Sequence, residues 1–277
     1  MRTYSLDDVY ETRKRRDSWW TVYLVDPVAC RVALPVANRT QLTPNGLTVL
    51  SLVLGMVSAA CFAMNQLVPG AVVFYLSFMI DCVDGKIARL KGTGTPFGLW
   101  LDYVGDRVRV VLCAGGLAFG QYTLTGDVRY VVLGAAVAVL DLFRYVNAPQ
   151  MKRVREAVRE ERAEPEPEPE DDTEQLERTP LERIPLDRAP RGRSFPRRLN
   201  RFLARHRVRS HLISGIEFHA AVFVVAPLAG AWALIPLAAL AGALLLANEV
   251  FLVYRMWRFT RRHAVASSRE SREHVLV

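Results

Sequence analysis

"DCVDGKIARLKGTGTPFGLWLDYVGDR", residues 81–107, places four aspartates between two strongly apolar flanks. AVVFYLSFMI (71–80) precedes it and VRVVLCAGGLAFG (108–120) follows it. Carboxylates at the edge of such hydrocarbon are costly to ionise unless positive charge stands among them. On a helix each residue advances about 100°, so Asp81, Asp84, Gly85, Ala88 and Arg89 share one arc. Gly98, Asp102 and Asp106 recur every fourth residue and make a second stripe. Two antiparallel helices joined by a short turn would set these stripes face to face. Gly85, Ala88 and Gly98 remove bulk there, so backbones or a ligand can approach closely. Four carboxylates then converge on one cavity.

Lys86 and Arg89 are placed to supply part of the missing positive charge. A pair of divalent ions supplies it better, because hard cations such as Mg²⁺ and Mn²⁺ favour carboxylate oxygens. No His or Cys pattern accompanies the cluster, which argues against zinc. Two such ions roughly 4 Å apart clamp a diphosphate and neutralise both the attacked phosphoryl oxygen and the leaving phosphate. One carboxylate left partly free can take a proton from an acceptor hydroxyl. The plainer alternative is a set of aspartates that cap helices or pair with nearby Lys and Arg. Two carboxylate stripes with small residues between them favour the cation site.

Beyond this stretch the 277 residues alternate long apolar runs with dense Arg, Lys and Glu clusters, at a formal net charge of +8. Runs near 46–64, 68–88, 98–121, 127–147, 211–227 and 231–254 match a bilayer core, which takes about 20 apolar residues. The fold class is therefore all-α integral membrane, with six transmembrane helices. The last two runs touch, split by a break beginning at Pro227. The connections near 65–67, 122–126 and 228–230 hold no Lys or Arg, whereas the N-terminal arm, the 86–91 turn, the 150–210 segment and the C-terminal tail are basic. The positive-inside rule places both termini and the aspartate stretch in the cytoplasm of a multi-pass cell-membrane protein. The basic balance is read as topology and anionic-lipid contact, not nucleic-acid binding. MRTYSLDDVYETRKRRDS (1–18) has no apolar core and is not read as a cleavable signal peptide. Cys30, Cys61, Cys82 and Cys113 are scattered, which suits small apolar residues in or beside helices better than a zinc or disulfide framework.

These boundaries give a cytoplasmic arm at 1–43, helices one to four at 44–149, a cytoplasmic charged linker at 150–209, helices five and six at 210–256, and a cytoplasmic tail at 257–277. SWWTVYLVDPVACRVALPVAN (18–38) reads as an N-terminal interfacial amphipathic helix with its Trp pair at headgroup level; burial within a cytosolic cap is the alternative. EERAEPEPEPEDDTEQLERTP (160–180) and its surroundings lack the apolar residues to offset chain entropy, so about 160–195 is expected to be disordered. RRLNRFLARHRVRS (197–210) alternates basic and apolar residues as an interfacial helix would.

Asp81-x2-Asp84-Gly85-x2-Ala88-Arg89-x8-Gly98-x3-Asp102-x3-Asp106 fixes eight residues over twenty-six positions. It matches without gap or substitution the signature of the class I CDP-alcohol phosphatidyltransferases. The six-span layout, the cytoplasmic site, the amphipathic N-terminal segment and the Thr-Pro-Asn before the first span also resemble that family, over about 18–150 and 205–255. The resemblance implies transfer of a substituted phosphate from a CDP-alcohol to a hydroxyl, with release of CMP, in phospholipid biosynthesis. It implies that Asp81, Asp84 and Asp102 bind two divalent ions, Mg²⁺ or Mn²⁺, and that Asp106 both touches metal and serves as base. Asp84, Gly85, Ala88, Arg89, Thr95 and Gly98 would receive the CDP-alcohol. CDP-diacylglycerol is the donor this implies, with a small polar acceptor such as inositol phosphate or glycerol phosphate. A soluble CDP-alcohol of the CDP-ethanolamine type with a lipid hydroxyl acceptor is the alternative. The other partners implied are membrane lipids, and a homodimer stays open.

Arg107 and Arg144 are the acceptor contacts singled out; Arg109, Asp141, Asn147, Glu217 and His219 complete the candidates. Arg144 also suits a snorkelling anchor, and His219 a helix–helix hydrogen bond. A transporter would carry broken helices in repeated halves, which the spans do not show. A lipid-binding protein without catalysis would be expected to lack one of the aspartates. Topology is directly measurable: in a Cys-free background, single cysteines placed at either terminus or within 150–210 should resist a membrane-impermeant reagent in intact cells and react after permeabilisation. External labelling of the 150–210 probe would invert the orientation.

Overall fold

Two helices of this protein start on the same four-residue device. Thr43-Pro44-Asn45-Gly46 and Thr95-Pro96-Phe97-Gly98 each put proline at the first helical position, where its missing N–H is no loss. In each the threonine hydroxyl accepts from the glycine N–H three residues on, at 3.1 and 3.0 Å. The computed structural model describes residues 3–160, Arg207 and residues 213–275. The expected disordered stretch at 160–195 and the basic amphipathic run at 197–210 therefore lie outside the described residues, Glu160 and Arg207 excepted.

Among the described residues the protein is helical and contains no strand. In chain order these are α1 (Leu6–Glu11), a π-helical turn (Thr21–Val25) running into α2 (Asp26–Arg39), α3 (Pro44–Ala63), α4 (Leu67–Lys91), α5 (Pro96–Thr125) and α6 (Arg129–Glu160). α7 (Gly215–Ala220), a second π-helical turn (Ala221–Val225), α8 (Ala226–Ala229) and α9 (Ala231–Val275) follow. Gly92, at φ +63°, ends α4 in the left-handed region, and its N–H bonds the Ala88 carbonyl. Gly230, at φ +105°, makes the break between α8 and α9 that the sequence places after Pro227. α6 runs past the expected span end near 147, continued by helix-forming residues such as Met151, Lys152 and Glu156, the last two paired at 3.6 Å. Cys30, Cys61, Cys82 and Cys113 each lie within a helix and are free thiols.

Among the described residues four helices are long and apolar enough to cross a membrane: Pro44–Ala63, Leu67–Lys91, Arg129–Val158 and Ala231–Arg261. The other two expected spans differ for physical reasons. α5 is 30 residues long but carries Asp102, Asp106, Arg107 and Arg109 in its first half. The fifth is a shorter apolar helix, Gly215–Ala229.

The chain forms two compact units, residues 1–141 with 192–245, and residues 142–191 with 246–277. In the first, α3 is held against α4 and α5 by small residues and hydroxyls rather than by large side chains. Ser58 donates to the Gly70 carbonyl at 2.8 Å and Ser77 to the Ser51 carbonyl at 2.7 Å. Gly116 and Gly120 of α5 lie directly on the Ala59 and Phe62 carbonyls of α3, where a Cβ would overlap backbone. One buried core joins Phe62, Phe74, Val110, Phe218, Phe223, Leu234 and Leu245. A second packs Ala29, Cys30, Ala33 and Ala37 of α2 on Met79, Val83 and Ile87 of α4. The 18–38 segment is thus helical with one face buried on α4, and Tyr23, Leu24 and Val28 exposed. In the second unit the buried Glu249 accepts from Asn147 at 3.0 Å and lies 3.5 Å from Arg144. There Arg255, Arg258 and Arg261 lie over the rings of Phe251, Tyr254 and Trp257, four residues back.

Gly116 and its neighbour make a paired test of the α3–α5 contact. Gly116→Leu should lower the melting temperature in detergent sharply or abolish recovery of folded protein. Gly115→Leu, whose Cβ would meet nothing within 4 Å, should be tolerated. Equal behaviour of the two variants would disprove the close approach.

Candidate active site

α4 and α5 are joined by a short turn, and Asn45 at the start of α3 reaches across to donate to the Thr95 hydroxyl at 3.4 Å. Gly98 permits that reach, because a Cβ there would collide with the Asn45 side chain. The turn so fixed brings the two carboxylate stripes together. Carboxylate oxygens of Asp81, Asp102 and Asp106 all lie within 4.8 Å of one another. Asp84 stands one turn along α4, buried, with its carboxylate accepting from the Thr48 hydroxyl at 2.6 Å.

The surroundings of these groups differ. Asp81 accepts from the Ser51 hydroxyl at 3.1 Å, and its Oδ1 lies 3.5 Å from Arg109 Nη1. Asp106 pairs through Oδ1 with Arg109 Nη2, and its Oδ2 lies 3.6 Å from Arg107 Nη2. Asp106 keeps 24% of its side chain exposed, against 14% for Asp81. No hydrogen-bond donor among the described residues reaches Asp102. Three converging oxygen donors, one of them lacking a donor, form a set that fits a hard divalent cation. No His or Cys belongs to this group.

Of the two cations expected to supply part of the counter-charge, Lys86 does not face the cluster. Lys86 points to the opposite side of α4 and pairs with Asp26 of α2 at 2.8 Å, both side chains being buried. Arg89 donates from Nε to the Thr12 carbonyl at 2.8 Å, its guanidinium passing over Gly85. Arg109, a candidate acceptor contact in the sequence, is the cation turned inward to the cluster.

Residues 41–163 match the family model described as CDP-alcohol phosphatidyltransferase. Over that stretch, which is less than half of the chain, the sequence is similar to that family. The chain is 38% identical over 99 residues to the phosphatidylinositol phosphate synthase of Mycobacterium marinum, covering 33% of this chain and 42% of that protein. It is 32% identical over 102 residues to the archaetidylinositol phosphate synthase of Methanothermobacter thermautotrophicus, covering 36% and 52%. It is 30% identical over 105 residues to the CDP-diacylglycerol–serine O-phosphatidyltransferase of Helicobacter pylori, covering 35% and 44%. The chain thus spans about half the length of these relatives, or less.

All four aspartates of the signature lie inside the matched residues 41–163, as do Gly85, Ala88, Arg89, Thr95 and Gly98. The remaining candidates take other partners. Arg107 pairs with Asp141 of α6, whose second oxygen lies 2.7 Å from His219 Nε2 of α7. Glu217 closes a capping box with Ser214 and accepts from the Trp19 N–H at 3.1 Å. Arg144 and Asn147 meet Glu249 within the second unit. Thr48, Ser51 and Ser77 escaped the sequence reading. Their signal was present: Thr48, Ser51, Gly55, Ser58 and Phe62 are spaced 3, 4, 3, 4 along an otherwise apolar helix.

Arg107, Asp141 and His219 form a charged unit, with Asp141 only 1% exposed. Asp141→Leu removes the partner 2.5 Å from Arg107 and the partner of His219, and should destabilise the protein by about 1–3 kcal/mol. Asp141→Leu combined with Arg107→Met should lose less than the sum of the single changes, by about 1–3 kcal/mol. Denaturation of the purified protein in mixed micelles measures this cycle. Strict additivity would mean that the two side chains act separately.

Proposed function

We propose that the chain transfers a substituted phosphate from CDP-diacylglycerol to the hydroxyl of a small polar alcohol, releasing CMP, in phospholipid synthesis. The observation that carries this is the meeting of Asp81, Asp102 and Asp106 within 4.8 Å, inside the matched domain. The acceptor oxygen attacks the phosphorus that bears the diacylglycerol. The phosphoanhydride bond breaks, CMP departs with the bridging oxygen, and the hydroxyl proton passes to a carboxylate.

Asp81, Asp84, Asp102 and Asp106 would hold two divalent ions, Mg²⁺ or Mn²⁺. When bound, such ions neutralise the diphosphate and its leaving phosphate. Thr48 fixes the rotamer of Asp84 and Ser51 that of Asp81, so both carboxylates are oriented before any ligand arrives. Asp106 is the proposed base, being more exposed than Asp81 and one turn beyond Asp102. Gly85, Ala88, Arg89, Thr95 and Gly98, on the last turns of α4 and the first turn of α5, are proposed to take the nucleotide.

Two of the three relatives named above are inositol phosphate lipid synthases, which favours inositol phosphate as acceptor over glycerol phosphate or serine. Arg107 and Arg144 remain the proposed acceptor contacts, each already balanced by a carboxylate. Six spans, with the site and both termini cytoplasmic, are proposed from the Lys and Arg distribution, counting α5 and Gly215–Ala229 with the four long apolar helices. The π-helical turn and α2, with Tyr23, Leu24 and Val28 outward, are proposed to lie at the cytoplasmic interface.

Detergent-solubilised protein given CDP-diacylglycerol, Mn²⁺ and a panel of acceptors should release CMP, most rapidly with inositol phosphate. EDTA should stop it, and Mg²⁺ or Mn²⁺ should restore it. Asp106→Asn should lower turnover by roughly 10²-fold or more. It should bind CDP-diacylglycerol better than Asp81→Asn, Asp84→Asn or Asp102→Asn. Full turnover in chelator would exclude the metal reading, and near-normal turnover of Asp106→Asn would remove that residue as base.

A further inference from the structure

Arg109 occupies a slot that three helices build for it. It follows Asp106 by one turn of α5 and its side chain is 4% exposed. Nη1 donates to the Ser51 hydroxyl of α3 at 2.8 Å and to the Ser77 hydroxyl of α4 at 3.2 Å. The aliphatic stem lies on Gly55, where a Cβ would come within 2.7 Å of Arg109 Cγ and 2.8 Å of Cδ. The guanidinium carbon lies 6.0 Å from the centre of the Phe74 ring. So held, it faces Asp81 and Asp106 together.

Hydroxyls that accept and a glycine that leaves room for the stem both keep the guanidinium from swinging away. Lys86 and Arg89 are engaged with Asp26 and the Thr12 carbonyl. A buried carboxylate cluster without a cation would be strongly destabilising, since its charges are neither solvated nor paired. Arg109 is always charged and cannot relieve its neighbours by losing a proton.

We infer that Arg109 is a resident cation of the carboxylate cluster, a positioning residue that holds Asp81 and Asp106 in place without metal and opposes metal binding once it arrives. The inference rests on the proposal that these carboxylates hold divalent ions. A guanidinium in contact with the same carboxylates repels an incoming dication at close range, and at this depth the repulsion is poorly screened. The cluster therefore has two ways to be neutralised, one built in and one taken from solution. Removing the first should increase reliance on the second.

The test uses full-length protein in detergent and variants Arg109→Met and Arg109→Lys. Mn²⁺ affinity is read from the electron paramagnetic resonance of the free ion, and stability from thermal unfolding in EDTA and in saturating Mn²⁺. Arg109→Met should unfold at lower temperature than wild type in EDTA, and Mn²⁺ should close most of that gap. Its Mn²⁺ dissociation constant should fall by about tenfold or more. Arg109→Lys, which keeps the charge, should bind Mn²⁺ within about threefold of wild type. A loss of stability equal in both buffers, with Mn²⁺ affinity unchanged or weakened, would overturn the inference and leave Arg109 a packing residue. If Arg109→Met is recovered in neither buffer, Arg109→Lys decides: wild-type affinity supports the inference and tenfold tightening overturns it. Asp102→Asn is the separate control. If that variant bound Mn²⁺ as wild type does, or if wild type bound none, the metal reading itself would fail, whatever Arg109 does.

Discussion

Carboxylates that converge inside a helix bundle repel one another, and the architecture around α4 and α5 follows from how that repulsion is met. At the 4.8 Å limit separating Asp81, Asp102 and Asp106, each charged pair is unfavourable by on the order of 3–4 kcal/mol at an effective dielectric of about 20. A guanidinium in contact with two of them offsets terms of the same size. α3 must then pass close enough to α5 for Ser51 to reach that guanidinium, and it does so because Gly55, Gly116 and Gly120 remove side chains from the interface. The small-residue packing and the electrostatics are thus one constraint. Neither works without the other.

α5 sorts its charges by face. Asp102, Asp106 and Arg109 recur at spacings of four and three, so they look toward α3 and α4. Arg107 falls off that arc and turns to Asp141 of α6, which His219 of α7 holds from its other side. One helix therefore carries two charged systems, joined where Arg107 Nη2 lies 3.6 Å from Asp106 Oδ2. Such junctions make a site stiff, because moving Asp106 disturbs four helices at once.

The helical class, the α4–α5 pairing and the convergence of Asp81, Asp102 and Asp106 were legible because they rest on period and spacing alone. The break beginning at Pro227 was legible too, and Gly230 makes it. Partner choice was not legible. Lys86 lies two residues beyond Asp84, about 200° around the helix, so it faces α2 and not the cluster. Spacing shows that it leaves the carboxylate arc but not that Asp26 waits there, since that pairing spans sixty positions of sequence. Arg109 was placed on the acceptor side for the converse reason. Its inward direction depends on a glycine and two serines of other helices, which no local pattern on α5 reveals.

The N-terminal segment completes the argument about charge. Asp26 binds Lys86, and the Thr12 carbonyl accepts from Arg89, so these two cations of α4 are held by residues of the N-terminal segment. Asp26 also lies 3.4 Å from Arg207, which donates to the Lys14 carbonyl at 3.2 Å through Nε. Lys86 is thereby anchored on the far side of α4, while Arg89 stays beside Gly85 on the carboxylate arc. Arg109 faces Asp81 and Asp106, while Arg107 is shared between Asp106 and Asp141. Under the proposed function, divalent ions held by these carboxylates would add to Arg109 in setting the charge that a diphosphate meets.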